Sequence, residues 1–185
     1  MILASKSPRR RELMAEAGFD FRCVSSDFDE SSVKADDPHD LPQLLASHKA
    51  ASVAAQAAAG ELVIGSDTVV ILDGCVLGKP RDAQEAHAML QALSGKTHEV
   101  TTGVCVQRDG LEVVAFSDTA RVTFWELADE DIDGYVATGE PMDKAGAYGI
   151  QGKGRLLVKG IVGDFYTVMG LPISRLYREL KKLGA

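Results

Sequence analysis

The chain has 185 residues, of which 45% are hydrophobic and 25% are charged, and its formal net charge is −7. This length can bury a substantial core without disulfides or structural metals, so a single domain over residues 1–185 is expected. The negative charge disfavours polymeric nucleic acid as a partner. No apolar run is long enough to span a membrane, and the first residues lack a signal-peptide pattern, so a cytoplasmic location is expected.

Hydrophobic periodicity, helix caps and turn residues predict alternating strands and helices along the chain. The predicted elements are, in order, a strand over 2–4, a helix over 8–18, a strand over 21–24, an acidic loop over 25–40, a helix over 41–59, a strand over 62–64 that is interrupted at 65–68 and resumes over 69–72, a strand over 75–77, a helix over 82–93, a hairpin over 97–124, a helix over 129–138, a glycine-rich loop over 139–154, a strand over 156–158 and a helix over 172–183. Turns at Asp73-Gly74 and Asp109-Gly110 predict two antiparallel hairpins. The pattern favours an α/β fold with a mixed sheet.

The first predicted helix begins with a cluster of polar and cationic residues. Ser7 and Pro8 supply a cap and a first-turn proline, and Arg9 and Arg10 follow directly. Hydroxyl groups, unpaired helix-start amides and guanidinium groups together can bind a phosphate. Ser5 precedes the cap and adds another hydroxyl. An ordinary capped helix with a solvated basic first turn is the alternative interpretation.

Asp67 lies between two apolar runs. It is either a turn residue that accepts hydrogen bonds from nearby amides or a reactive carboxylate close to a metal ion or water. Glu30 in the acidic loop can ligate the same cation, although acidic loop residues are usually solvated. Lys49 and Lys79 can each reach a phosphate as point charges, against the commoner fate of an exposed lysine. The four histidines show no metal-ligand spacing and receive no role.

Several segments in order resemble the Maf family of nucleotide pyrophosphatases, and the resemblance covers essentially the whole chain. The segments are ASKSPRR at 4–10, GSDTV at 65–69, GKPRD at 78–82, LSGKTH at 93–98, DKAGAYGIQG at 143–152 and VMGLP at 168–172. The resemblance implies a fold similar to the inosine triphosphate pyrophosphatases, with two lobes around a central cleft. It also implies a divalent metal cofactor, Mg²⁺ or Mn²⁺, and a possible homodimer.

The resemblance also assigns a reaction and a substrate. It implies hydrolysis of a nucleoside triphosphate to the monophosphate and pyrophosphate, with Asp67 as proton acceptor or metal-linked carboxylate. Arg9, Thr68 and Gln151 match the positions that distinguish the subgroup acting on dTTP and UTP, and modified pyrimidine nucleotides are further candidates. The Gln151 amide offers a donor and an acceptor, which can match the edge of thymine or uracil.

The predicted site combines residues from distant parts of the chain. The predicted substrate-binding residues are Ser5, Ser7, Arg9, Arg10, Lys49, Thr68, Lys79 and Gln151, and the predicted metal ligands are Glu30 and Asp67. Water would attack the α-phosphorus while the cations offset the charge of the leaving pyrophosphate. Two alternatives stay open, a regulator of septum formation that binds a nucleotide without cleaving it and an enzyme for damaged purine nucleotides.

Overall fold

The computed structural model describes all residues of the chain, 1–185. The helices and strands are, in chain order, β1 (Ile2–Ala4), α1 (Pro8–Glu16), β2 (Arg22–Cys23), α2 (Leu41–Ala54), β3 (Leu62–Leu72), β4 (Cys75–Leu77), α3 (Ala83–Leu93), β5 (Thr97–Arg108), β6 (Leu111–Phe124), α4 (Asp129–Val136), β7 (Val158–Val162), α5 (Phe165–Met169) and α6 (Ile173–Lys182). Short 3₁₀ helices occur at Glu30–Ser32, Glu140–Asp143, Ala145–Ala147 and Gly152–Leu156. None of the helices combines the length and the apolar composition that a membrane crossing requires.

The strands form one mixed sheet of seven strands. Its order is β2-β1-β3-β5-β6-β7, and β4 pairs with β3. β1 runs parallel to β2 and β3, whereas β4 and β7 are antiparallel to β3 and β6. Asp73 and Asp109 both have left-handed φ values, 51° and 53°, in the two-residue turns that precede β4 and β6. The predicted mixed α/β fold and its hairpin turns are confirmed.

The chain divides into two compact units. The first unit comprises Met1–Asp67, Thr102–Asp118 and Gly170–Ala185, and the second comprises Thr68–Thr101 and Thr119–Met169. The strands β3, β5 and β6 therefore contribute residues to both units. The expected single domain over 1–185 and the expected central cleft stay predictions.

Each unit has its own buried apolar core. The first core contains Ile2, Ala4, Ala46, Ala50, Val53, Val63 and Cys105. The second contains Leu90, Leu93, Val122, Phe124, Ile132 and Tyr148 among others. Burial of apolar surface stabilises each unit by roughly 25 cal/mol per Å² removed from water.

Three predicted elements differ from the structure by more than two residues. β3 is continuous over Leu62–Leu72, without the predicted interruption at 65–68. α2 ends at Ala54, five residues earlier than predicted, because the following alanines are mostly exposed and pack too little to extend the helix. The strand predicted over 156–158 lies instead at Val158–Val162, after a 3₁₀ helix.

Candidate active site

The junction of β1 and α1 is organised by two serines of the first unit. Ser7 is the N-cap of α1, and its hydroxyl accepts the N–H of Arg10 at 3.4 Å. The Ser5 hydroxyl in turn accepts the N–H of Ser7 at 3.1 Å. Pro8 occupies the first turn, as predicted. The predicted cap is therefore confirmed, and Arg9 and Arg10 lie in the first turn of the helix.

Arg10 is buried, whereas its neighbour Arg9 is only partly buried. The Arg10 Nε donates to the carbonyl oxygen of Gly170 at 2.6 Å, and its Nη1 donates to the Ser5 hydroxyl at 3.4 Å. Burial lowers the pKa of the Arg10 guanidinium, and the negative charge of Asp67 opposes that shift. The Arg10 side chain is therefore anchored inside the first unit.

Two glycines let α2 contact the sheet backbone directly. A Cβ added at Gly65 would lie 2.0 Å from the carbonyl oxygen of Ala46, and one at Gly103 would lie 2.3 Å from the backbone nitrogen of Gln43. No other residue type fits such a close approach. Gly65 thus belongs to a regular strand, and the close packing of α2 brings Lys49 next to the β3 residue Asp67.

Lys49 joins the two predicted metal-ligating carboxylates. Its Nζ donates to Asp67 Oδ1 and lies 2.9 Å from Glu30 Oε1. The side chains of Lys49 and Asp67 are 11% and 12% exposed, whereas that of Glu30 is 50% exposed. The result is a nearly buried ion pair of Lys49 and Asp67, with a second, half-exposed carboxylate, that of Glu30, beside it.

The first unit brings most of the predicted site together. Its members are Ser5, Ser7, Arg9, Arg10, Glu30, Lys49 and Asp67. Lys49 contacts both Asp67 and Glu30, and the charges of Arg9, Asp67 and Glu30 all influence the pKa of the Arg10 guanidinium. An acid and several cations that are distant in sequence are therefore neighbours within one unit.

Glu30 and Asp67 can hold part of the coordination shell of a divalent cation. No group of three or more His, Cys, Asp or Glu side chains is arranged as a complete metal site. Mg²⁺ is commonly bound through one or two carboxylates, with waters and substrate phosphates as the other ligands. Both carboxylates contact the same Lys49 ammonium, so they lie close enough together to bind one metal ion jointly. Glu30 and Asp67 therefore suit a metal ion whose other ligands are water and substrate phosphate, and not one that is bound by protein ligands alone.

The other predicted residues belong to the second unit. Thr68 follows Asp67 in β3 and is partly buried, Lys79 is exposed, and Gln151 is partly buried. The N–H of Gly146 donates to the carbonyl oxygen of Gly78 at 3.0 Å. The segments 78–82 and 143–152 are therefore joined within the second unit, and Lys79 and Gln151 lie on these two segments.

His98, which received no role from the sequence, is almost completely buried in the second unit at 2% exposure. Its Nε2 lies 2.7 Å from the Tyr148 hydroxyl, and both rings pack edge-on against Phe124. Burial lowers the pKa of His98 to about 4 and raises the pKa of Tyr148. A neutral histidine thus anchors the segment that carries Gln151.

Sequence reasoning missed the function of Gly170. Its carbonyl oxygen accepts from Arg10 and also from the Ser66 hydroxyl, at 3.2 Å. It therefore links the start of α1 to the β3 residue that precedes Asp67. The only available signal was its place in the segment 168–172.

A family model for Maf-like proteins matches residues 1–183. The chain belongs to the Maf family. It is 52% identical over 184 residues to a dTTP/UTP pyrophosphatase of Bacillus cytotoxicus, covering 100% of this chain and 95% of the relative. A dTTP/UTP pyrophosphatase of Bacillus cereus is 50% identical with the same coverage. The predicted family is confirmed.

Two solved structures are similar to this Maf protein at low sequence identity. A dITP/XTP pyrophosphatase from Mycobacterium abscessus has a TM-score of 0.45 and 14% identity, with 98% of this chain and 96% of that chain covered. A HAM1 protein from Coxiella burnetii has the same score and identity, with 66% and 71% covered.

Proposed function

We propose that this Maf protein hydrolyses dTTP and UTP, and modified pyrimidine nucleotides of the same class, to the monophosphate and pyrophosphate. The observation that carries the proposal is the nearly buried pair of Asp67 and Lys49 with Glu30 beside it. The chain also aligns over its whole length with relatives that are named dTTP/UTP pyrophosphatases. An acid and several cations in one environment suit a substrate that carries both a reactive phosphorus and a highly charged triphosphate.

Asp67 is the proposed catalytic group. Water attacks the α-phosphorus, the bond to the bridging oxygen breaks, and pyrophosphate leaves. Asp67 either accepts the proton of the attacking water or holds the metal ion, and Lys49 orients its carboxylate in both cases. A Mg²⁺ or Mn²⁺ ion held by Glu30 and Asp67 would supply further neutralisation of phosphate charge.

The start of α1 is the proposed binding site for the triphosphate. The Arg9 guanidinium and the first amides of the helix supply donors, and the Ser5 and Ser7 hydroxyls fix the backbone around them. Arg10, whose side chain is anchored on the Gly170 carbonyl, contributes its positive charge to phosphate binding. Lys79 of the second unit is proposed as a further phosphate contact.

Gln151 and Thr68 are the proposed base-selective residues. The Gln151 amide can donate to a base carbonyl and accept from a ring N–H. Thymine and uracil present that pair of groups, but guanine and hypoxanthine do too, so the proposed preference over purines rests on the relatives that are named dTTP/UTP pyrophosphatases. We further infer that the enzyme works in the cytoplasm, where free nucleotides are hydrolysed, and that it forms a homodimer.

A panel of nucleoside triphosphates tests the activity and the substrate class. The purified protein is incubated with Mg²⁺ or Mn²⁺ and with each of dTTP, UTP, CTP, ATP, GTP and ITP, and pyrophosphate release is measured. We expect release from dTTP and UTP, with kcat/KM at least about tenfold above that for the purines. Tight binding of dTTP without release would instead favour the non-cleaving regulator, and a preference for ITP would favour the purine alternative.

A further inference from the structure

The segment that carries Gln151 is held by side chains that the proposed function does not use. Both carboxylate oxygens of Glu140 accept the N–H of Lys153, at 3.2 and 3.0 Å. Gln151 lies two residues before Lys153. The contact with Glu140 therefore fixes the backbone immediately after Gln151.

Gly152, between Gln151 and Lys153, shows how closely the Glu140 carboxylate approaches this backbone. Its φ is +63°, and an added Cβ would lie 2.5 Å from Glu140 Oε2 and 2.9 Å from its Cδ. The left-handed φ favours glycine, and a Cβ at this position would displace the Glu140 carboxylate. We call this contact, made of the Glu140 carboxylate, Gly152 and the Lys153 N–H, the Glu140 latch.

The backbone before Gln151 is held as well. The N–H of Gly149 donates to the Tyr135 hydroxyl at 3.2 Å. The Lys144 side chain passes so close that a Cβ at Gly149 would lie 2.7 Å from its Cε, and the Lys144 Nζ donates to the backbone carbonyl of Glu140. Glu140 therefore contacts the segment after Gln151 directly and the segment before it through Lys144.

We propose that Glu140 is a positioning residue for Gln151 and thereby sets the selectivity for uracil and thymine. The inference rests on the proposed function, in which the Gln151 amide contacts the base. A hydrogen bond from a backbone N–H to a carboxylate is stronger than one to a neutral acceptor. Because recognition of a base edge needs two aligned hydrogen bonds, a displaced Gln151 backbone loses selectivity before it loses phosphate binding.

Binding of non-hydrolysable nucleotides tests the Glu140 latch separately from catalysis. The affinities of the α,β-methylene analogues of UTP and CTP are measured by calorimetry for the wild-type protein, Glu140→Ala, Glu140→Gln and a control, Glu130→Ala. Glu130 is an exposed acid of the same unit. The ratio of the two affinities reports on the base, since both analogues carry the same triphosphate tail.

We expect the preference for the UTP analogue to fall about tenfold in Glu140→Ala, with a smaller fall in Glu140→Gln, which keeps one carbonyl acceptor for the Lys153 N–H. Glu130→Ala should keep the wild-type ratio. An unchanged ratio in Glu140→Ala, or no preference in the wild type, would overturn the inference. If Glu140→Ala does not fold, Glu140→Gln gives the decisive ratio.

Absence of dTTP and UTP hydrolysis by the wild type would refute the proposed activity alone, because the binding ratio does not depend on turnover.

Discussion

The candidate residues of the two units are held by different kinds of contact. In the first unit, charged side chains pair with one another, and Lys49 contacts both the nearly buried Asp67 and the half-exposed Glu30. In the second unit, Gln151 lies on a segment whose backbone N–H groups donate to Glu140 and Tyr135. Glycines on both sides of Gln151 let the Lys144 and Glu140 side chains lie close to this backbone. Charged groups suit a triphosphate, and a fixed backbone suits a neutral base. Substitutions in the first unit should therefore change the reaction rate, and those in the second should change selectivity.

Asp67→Asn should have the largest effect and tests the first half of this comparison. The change removes the negative charge that pairs with Lys49 and that the reaction needs as proton acceptor or metal ligand. We expect kcat/KM for dTTP to fall at least about a hundredfold, which corresponds to ~2.7 kcal/mol of transition-state stabilisation. Initial rates of pyrophosphate release measure the loss, and a melting curve shows whether the variant is folded.

Asp73→Asn is the matched control, because Asp73 lies in the exposed turn after the same strand and asparagine tolerates its left-handed φ. It should keep the wild-type rate. A folded Asp67→Asn variant with wild-type kcat would remove Asp67 from the chemistry and end the assignment of rate to the first unit.

The sequence predicts which residues can carry chemistry better than it predicts the structure around them. Asp67 stands out because a carboxylate between apolar runs needs an explanation, but the same GSDT segment looks like a turn. The break predicted there is wrong because Gly65 is required for the close packing of α2, where any Cβ would clash with the Ala46 carbonyl, and not for a turn. Tertiary packing overrides local propensity at this position.

Partners that are distant in sequence could not be predicted for a further physical reason. Arg10 donates to the carbonyl of Gly170, 160 residues away, and every residue of the chain carries such a carbonyl. Glu140 accepts from a backbone N–H, which is equally unspecific. Side-chain types therefore reveal candidate groups such as Lys49, whereas contacts with the backbone follow only from the fold.

Acid should destabilise the protein through His98, which is buried in the second unit. This prediction separates a titrating group that stabilises the second unit from the charged groups of the first. The pKa of His98 is about 4 in the folded protein, against an ordinary value of 6.5. The unfolded chain therefore binds a proton in this range that the folded protein does not. The associated stability is complete above pH 6.5 and falls as the pH decreases toward 4, by about 2 kcal/mol at pH 5.

Urea denaturation at pH 7.5 and pH 5 measures this loss in the wild type and in His98→Gln, which retains hydrogen-bonding groups but does not titrate. We expect the free energy of unfolding of His98→Gln to fall by about 2 kcal/mol less than that of the wild type. His48→Gln, a change at an exposed histidine of the first unit, should follow the wild type. Identical acid sensitivity of His98→Gln and the wild type would place the titrating group elsewhere.

Arg10→Lys should have the smallest effect and tests whether a first-unit cation can be structural rather than substrate-binding. Lysine keeps the positive charge but cannot donate from Nε to Gly170 while also reaching Ser5. We expect the free energy of unfolding in urea to decrease by about 1.5 kcal/mol, since a buried carbonyl loses a charged donor.

Arg9→Lys, one residue earlier on the same helix turn, provides the comparison for Arg10→Lys. Arg9 is less buried, and its proposed partner is the triphosphate. Arg9→Lys should therefore raise KM for dTTP while leaving the urea midpoint close to that of the wild type. The opposite outcome, in which Arg10→Lys raises KM without loss of stability and Arg9→Lys destabilises the fold, would exchange the two roles. In that case the buried guanidinium would be the phosphate ligand, and the start of α1 would have to open for substrate to bind.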